Sequence, residues 1–212
     1  MKLLASRGQM LAFKTLLHLA CGLPLLWLFA AVDQGALGGD PVQYIIHFLG
    51  MGTLNTLGAT LLLSPLARQF KLGALLQVRR LLGLWCFAYG ALHVAAFIAF
   101  DLLFDWMLLA TEVVKRPYIV VGFIALVVLT ALALTSPKAV QRRMGRRWQS
   151  LHRWVYLVAV LGPVHFWWSV KSGNLEPVIY LLAGIGLLLW RPWVRQRLTK
   201  GKPAAKAARK AL

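Results

Sequence analysis

Residues 145–171 read GRRWQSLHRWVYLVAVLGPVHFWWSVK, an apolar stretch with two histidines between basic ends. From residue 154 to residue 170 it contains no Lys, Arg, Asp or Glu, and a run of this kind indicates a helix that crosses a lipid bilayer. His165 lies inside the run and His152 at its basic edge. Because histidine is costly in hydrocarbon unless its ring nitrogens are occupied, whatever binds these rings determines the function.

The chain of 212 residues contains six such charge-free runs, and a helical span needs roughly 20 residues. The sequence therefore predicts an all-α fold, a polytopic membrane helix bundle with six transmembrane helices. It also predicts one domain at residues 1–198, followed by a basic tail at residues 199–212 to which we attach no chemistry. The six runs are residues 15–32, 41–67, 81–100, 117–137, 154–170 and 177–190.

Basic side chains outnumber acidic ones by 24 to 6, and the two kinds alternate along the chain. Both termini and the loops after the second and fourth runs are basic, whereas the other loops hold all six acidic residues. Since short basic loops stay in the cytoplasm, we expect both termini there. The charges fill gaps between apolar runs and form no readout surface, so we expect contacts with anionic membrane lipid and no nucleic-acid partner.

The first 32 residues also resemble a cleavable signal peptide, with small residues at Ala30 and Ala31. Cleavage there would leave an odd number of spans and would remove His18. We therefore favour an uncleaved first helix that carries His18 near its basic end.

His93 and His165 lie at the same predicted depth on two different helices. His93 follows Arg80, and His165 follows Arg153, by thirteen and twelve residues, so at about 1.5 Å per residue both lie in the outer half of the membrane. Two imidazoles at one height coordinate a heme iron from both faces. The alternative is that each histidine only hydrogen-bonds a neighbouring helix; for a pair matched in depth we favour heme.

His152 and His18 are candidate ligands of a second, inner heme. His152 precedes His165 by thirteen residues on the same predicted helix, roughly 20 Å along its axis. Pro163 lies between them and would bend that helix. His18 is the candidate partner of His152 because it lies near the same basic end.

Three further residues are candidates for cofactor contacts. Arg79 and Arg80 lie at the level of His152 and either hold heme propionates or anchor the third helix at the cytoplasmic surface. Trp167 either walls the outer edge of a heme or belongs to the aromatic belt of the membrane interface.

No known catalytic motif occurs in the sequence. It contains no G-x-G-x-x-G after a strand, no phosphate loop, no HExxH and no CxxC, so we predict no catalytic residue and assign substrate chemistry to another polypeptide. One alternative is a stand-alone cytochrome b that oxidises quinol or reduces metal ions. Another is a heme-free transporter or scaffold; transporters usually have internal repeats, and we expect none between the two halves.

Three motifs together carry a family resemblance: RRLLGLWCFAYGALHVAAF at residues 79–97, KRPYIVVGF at 115–123 and the stretch at 145–171. With them the chain resembles the ferric reductase-like transmembrane family, from Lys14 to about Arg195. By position, the heme histidines of the family fall on His93, His152 and His165. The wider family, which includes the NADPH oxidases, has two histidines on each of the third and fifth helices. Here the third helix has one, which leaves the ligands of a second heme open.

The resemblance is closest to the heme-binding membrane subunits of periplasmic methionine sulfoxide reductase systems, and it implies an electron conduit in the bacterial inner membrane. Electrons from the quinone pool or a cytosolic flavin reductase would pass through one or two b-type hemes. They would reach a periplasmic molybdopterin-dependent methionine sulfoxide reductase that repairs oxidised proteins. Family members are also described as carrying FMN, so the resemblance implies a flavoprotein as well.

Overall fold

A computed structural model describes residues 6–170 and 175–190, and this part of the chain contains helices and short connections without any strand. The predicted all-α fold is therefore confirmed. The predicted basic tail lies outside the described residues. The α-helices are α1 (Arg7–Asp33), α2 (Pro41–Gln69), α3 (Arg79–Ala96), α4 (Trp106–Lys115), α5 (Tyr118–Leu134), α6 (Lys138–Met144), α7 (Arg146–His152), α8 (Val155–Ser169) and α9 (Glu176–Leu189).

Local sequence signals set where several helices begin. Ser6 and Gln9 form a capping box at the start of α1, and Asp40 caps α2 ahead of a proline in the first turn. Asp105 accepts hydrogen bonds from two backbone N–H groups at the start of α4. These caps satisfy N–H groups that have no partner within the helix.

The core of the bundle lies between α2, α3, α5 and α8. One buried cluster joins Leu57 of α2, Cys86 of α3, Leu129 of α5 and Val158 of α8. Helices α2 and α3 pack along most of their length, as do α5 and α8. The histidine-bearing helices α3 and α8 are therefore both held in the central layer.

Helices α1 and α9 each attach to this core by a side-chain hydrogen bond. The Tyr89 hydroxyl of α3 donates to the Cys21 carbonyl of α1 at 2.7 Å. The Tyr180 hydroxyl of α9 donates to Asn55 of α2 at 2.7 Å. On its other side, α1 exposes a band of large apolar side chains, which suits contact with lipid: Leu16, Leu19, Leu23, Leu26, Trp27 and Phe29.

Length separates the apolar helices into two groups. Helices α1, α2 and the combined segment Gly73–Asp101 are each long and apolar enough to cross a membrane, and α4 with α5 forms a fourth span if a 111° bend between them is accepted. Helix α8 has 15 residues and α9 has 14, so each reaches roughly 22 Å of a hydrocarbon core that is roughly 30 Å thick. The prediction of six spans thus stays a prediction.

Two local features differ from what the sequence suggested. The charged connection between the third and fourth runs contains helix α4. Asp105 caps its N-terminus, and at its C-terminal end Glu112 forms an ion pair of 2.7 Å with Arg116. The prediction that His152 shares a helix with His165 was wrong. Helix α7 ends at His152 and α8 begins at Val155, because Arg153 and Trp154 donate to carbonyls three residues back instead of four.

Candidate heme-binding site

His93 and His165 lie against each other near one end of the core. Their ring centroids are 6.2 Å apart and the ring planes stand at 87°. His93 is on α3 and His165 on α8, and both side chains are partly buried. The structure therefore brings together the two histidines that the sequence placed at one depth.

Both rings are oriented by hydrogen bonds to backbone carbonyls. Nδ1 of His93 lies 2.8 Å from the Ile46 carbonyl oxygen on α2, and Nδ1 of His165 lies 2.7 Å from that of Tyr118 on α5. A carbonyl oxygen only accepts, so each Nδ1 carries the hydrogen and donates it. In the neutral imidazole this leaves a lone pair on Nε2, the arrangement usual for histidines that bind metals.

A glycine opens the helix surface where each ring approaches. Gly50 follows Ile46 by one turn, and a Cβ added there would lie 3.3 Å from Cε1 and Nδ1 of His93. At Gly122, one turn after Tyr118, a Cβ would lie 2.7 Å from Cε1 of His165. Any larger residue would push against the ring, most severely at Gly122.

We call each histidine, together with the carbonyl and the glycine of the helix that it faces, a socket. The two sockets repeat each other in the sequence. Equivalent residues are separated by 72 positions, as from His93 to His165. The expectation that the halves contain no internal repeat was therefore wrong. Helices α2 and α3 correspond to helices α5 and α8. The residues that the two pairs share are too few to stand out in the sequence. The equivalent residues are Ile46 and Tyr118, Gly50 and Gly122, Ser64 and Ser136, Pro65 and Pro137, Gly90 and Gly162, and the two histidines.

The donor set suits a heme better than a free metal ion. Two nitrogens at about 2 Å from one metal hold their ring centroids roughly 6 to 7 Å apart, which the observed 6.2 Å matches. In the described part of the chain no group of three or more His, Cys, Asp or Glu gathers to hold a metal ion. An iron held by two imidazoles alone needs a macrocycle for its remaining ligands, and the residues present therefore fit a heme.

His152 lies in a separate hydrogen-bond network at the connection between α7 and α8. Its Nε2 is 3.1 Å from the Thr135 hydroxyl oxygen, and the Thr135 hydroxyl donates its own hydrogen to the Ala131 carbonyl at 2.6 Å. His152 is therefore the donor. The Trp148 ring stacks on His152 at 3.9 Å. Burial, together with the nearby charge of Arg79, lowers the pKa of His152, which favours the neutral ring.

His18 also has a defined partner. The Trp85 indole N–H donates to Nδ1 of His18 at 3.0 Å, so in the neutral ring the hydrogen of His18 is on Nε2. His18 and His152 thus bond to different residues, Trp85 on α3 and Thr135 directly after α5. An Nε2–iron bond at either histidine would require a change of tautomer and the loss of its present hydrogen bond.

The remaining predicted site residues lie away from the histidine pair. Arg80 lies on α3, thirteen residues before His93, and its Nε donates to the Ser136 hydroxyl at 3.4 Å. Arg79 is near His152, as its effect on that ring shows. Trp167 is 59% exposed. It follows His165 by two residues, and residues two apart on a helix do not share a face. Trp167 therefore points away from the side that carries His165.

Four residues of the pair's surroundings were missed by sequence reasoning. They are Ile46 and Tyr118, whose carbonyl oxygens accept the hydrogen bonds from the rings, and the glycines Gly50 and Gly122. An ungapped comparison of the chain with itself at an offset of 72 would have marked the two glycines, because Gly50 and Gly122 are identical residues at that spacing.

Thr135→Val is expected to destabilise the folded protein by about 1 to 3 kcal/mol, because it leaves the His152 N–H without its acceptor. Thr130→Val is the matched control, since the Thr130 hydroxyl donates to Leu126 of its own helix. Thermal unfolding in detergent measures both. Equal unfolding temperatures for the two variants would contradict the assigned hydrogen bond.

Comparison with known proteins places these residues in a family context. A family model described as ferric reductase like transmembrane component matches residues 48–163. A Klebsiella pneumoniae subsp. pneumoniae protein is 51% identical over 184 residues, covering 86% of this chain and 91% of that protein. For a Cronobacter sakazakii protein the identity is 50% over 184 residues, with 86% and 92% covered. For one from Pectobacterium carotovorum subsp. carotovorum it is 49% over 179 residues, with 84% and 90% covered. All three are named protein-methionine-sulfoxide reductase heme-binding subunit MsrQ.

Proposed function

The chain belongs to the ferric reductase-like transmembrane family and, within it, to the MsrQ heme-binding subunits, and from this premise we propose that it binds b-type heme and carries electrons across a membrane. The observation that carries the proposal is the pair His93 and His165, 6.2 Å apart, with both Nδ1 atoms donating to backbone carbonyls. This leaves the two Nε2 lone pairs for one iron.

The pair and the residues around it would both contribute to this role. His93 and His165 would bind the iron, and the carbonyls of Ile46 and Tyr118 would fix the rings and raise their basicity as ligands. When bound, heme supplies a one-electron redox couple inside the bilayer. The apolar packing of α2, α3, α5 and α8 would exclude water and so influence the potential at which that couple operates.

An inner heme would be held at the opposite level of the bundle by His152 and His18, with Arg79 and Arg80 near its propionates. Each histidine would exchange a present hydrogen bond for iron, Thr135 in one case and Trp85 in the other. Trp167, which points away from the side that carries His165, would belong to the aromatic belt of the membrane interface instead. The chain would therefore hold one heme or two, depending on whether these exchanges occur.

We place the protein in the bacterial inner membrane with six passes and both termini in the cytoplasm. The apolar helices and the lipid-facing surface of α1 support a membrane location, and the alternation of basic and acidic loops supports the orientation. The short helices α8 and α9 would then cross a locally thinned bilayer.

The electron acceptor in this account is a periplasmic molybdopterin-dependent methionine sulfoxide reductase, in line with the name that the relatives carry. It would dock near Trp168 and Lys171, the latter outside the described residues. The donor is the quinone pool or a cytosolic flavin reductase, which would approach the basic segment from Arg142 to Arg147. FMN would be a second cofactor, as the family resemblance implies.

A cellular assay tests the function. In bacteria that express the periplasmic reductase, reduction of methionine sulfoxide in periplasmic protein should require this chain and fall to background with His165→Ala. His47→Ala serves as the control, since the His47 ring is exposed and its Nε2 lies 3.7 Å from a Glu176 carboxylate oxygen. Unchanged repair with His165→Ala would sink the proposal. Reduction of external ferric ions by the chain without the reductase would favour the stand-alone cytochrome instead.

A further inference from the structure

Helix α4 lies at the same end of the bundle as the histidine pair, nearly at a right angle to α5. The two helices are joined by a bend of 111°, and the first residue of α5, Tyr118, accepts the hydrogen bond from His165. With 17 residues, α5 alone covers roughly 25 Å of a hydrocarbon core that is roughly 30 Å thick. Where α5 crosses the bilayer, as proposed above, α4 therefore lies close to the membrane plane at its outer surface.

Helix α4 extends to the side of the bundle. Among the described helices, only α5 packs closely against it, whereas a helix lying across the end of the bundle would also pack against α3 or α8. Helix α5 itself exposes apolar side chains at Val120, Phe123 and Val127, whose spacing of three and four residues places them on one face. The helix that supports α4 thus borders the lipid, and α4 continues from it.

The outward face of α4 is apolar, and its acidic side chain is turned inward. Met107 is 78% exposed and Val114 is 81% exposed, and residues seven apart share a helix face. The Thr111 hydroxyl on that face donates to the Met107 carbonyl, so it needs no water. The Glu112 side chain, in contrast, is only 12% exposed and pairs with Arg116. A helix with its outward face in water has the reverse arrangement, so this face suits hydrocarbon.

The turn before α4 presents two more apolar side chains. Leu103 and Phe104 have φ angles of 49° and 61°, a left-handed conformation that is unfavourable for residues with large side chains. Both side chains are exposed, so packing within the described part of the chain does not offset this cost. Their removal from water into lipid would offset it.

We propose that α4 is an interfacial anchor, which lies in the outer leaflet with Leu103, Phe104, Met107 and Val114 among the lipid acyl chains. Amphipathic helices bind membranes in this way, with the apolar face at the boundary between headgroups and acyl chains. Trp106 is exposed at the start of α4, and tryptophan is enriched at this level of a membrane. The side position of α4 favours lipid over a protein that docks on the end of the bundle.

The anchor leads directly into the socket of His165. Glu112 of α4 pairs with Arg116, and Tyr118, two residues later, holds His165. Lipid contact along α4 would therefore keep this socket at a constant depth in the membrane. The inference rests on the proposed membrane location and requires no particular electron donor or acceptor.

The test uses the full-length protein with its heme, in liposomes of phosphatidylethanolamine and phosphatidylglycerol. Met107→Cys and Val114→Cys each receive a nitroxide label, and the native Cys21 and Cys86 are buried, so the introduced thiol reacts selectively. Electron paramagnetic resonance compares how often the label collides with oxygen, which concentrates in lipid, and with a nickel chelate, which stays in water. Oxygen should dominate at both positions.

Two labelled variants serve as references. Gln34→Cys lies in an exposed connection at the same end of the bundle and should collide mainly with the nickel chelate. Val127→Cys lies halfway along the exposed face of α5 and should collide mainly with oxygen. The heme absorbance of each labelled variant shows that it is folded.

Nickel exposure at Met107→Cys or Val114→Cys equal to that at Gln34→Cys would overturn the anchor. Oxygen exposure at Val127→Cys in the same experiment would limit the failure to α4, whereas nickel exposure there would also refute the proposed membrane location. A final arm adds the purified periplasmic reductase. Labels on α4 that face water alone and lose mobility when the reductase is added would identify a protein docking surface and refute the lipid anchor.

Discussion

Replacing His93 or His165 by alanine is expected to lower the heme content of the purified protein by at least about tenfold. Loss of residues that only support a metal ligand typically costs 10 to 100-fold in affinity, and these two would be the ligands themselves. The two variants should be equally deficient, because the sockets of the two rings are equivalent. Heme per protein is measured from the reduced absorbance spectrum after extraction into pyridine.

The histidine controls sharpen this result. His47→Ala should keep its heme, because His47 is exposed and paired with Glu176. His152→Ala should keep the heme of the outer pair and lose heme only to the extent that an inner site is filled. Full heme content in both His93→Ala and His165→Ala would remove the site assignment.

Substitutions at the two socket glycines are expected to have graded effects on heme binding. Gly122→Ala places a Cβ 2.7 Å from the His165 ring and should be the more damaging; Gly50→Ala brings it to 3.3 Å from the His93 ring and should be milder. Overpacking of this kind costs about 1 to 3 kcal/mol, or roughly fivefold to 150-fold in heme affinity if the ring must move.

Gly58→Ala is the matched control for this series. Gly58 lies on α2 like Gly50, and a Cβ there meets nothing within 4 Å, so heme affinity should be unchanged and helix stability slightly higher. Heme titration into apoprotein measures all three variants. Equal affinities for Gly122→Ala and Gly58→Ala would show that the His165 ring does not need the gap in α5.

The approach of His93 to His165 could be expected from the sequence because depth in a membrane helix follows from counting. Charged residues mark where a helix enters and leaves the bilayer, and the rise per residue is constant. Arg80 and Arg153 therefore located both rings at one level before any contact was known. The same counting could not say which way each ring points.

The surroundings of the rings could not be anticipated, because they depend on how helices rotate and pack. Glycine in an apolar run has many explanations, and only the structure shows that Gly50 and Gly122 each leave a gap beside a bonded carbonyl. A backbone carbonyl leaves no mark in a sequence at all. The 72-residue repeat was readable in principle, but its few shared residues gain meaning only from the matched hydrogen bonds.

The break after His152 was missed for a related reason. Residues 152–155 contain no glycine or proline, so local propensity predicts a continuous helix. Tertiary contacts override it: His152 and Trp148 are both held by Thr135 at the end of α5. This anchoring accompanies the break between α7 and α8 and gives His152 the neighbours Thr135 and Trp148.

Near-infrared magnetic circular dichroism of the oxidised protein tests the central claim most directly, because the position of the low-spin ferric charge-transfer band identifies the two axial ligands. We predict a low-spin species with two neutral imidazole ligands at the outer site, and the loss of that contribution to the band in both His93→Ala and His165→Ala. A preparation supplied with ample heme that shows no reducible heme, or a spectrum with any other ligand pair at the outer site, would contradict it.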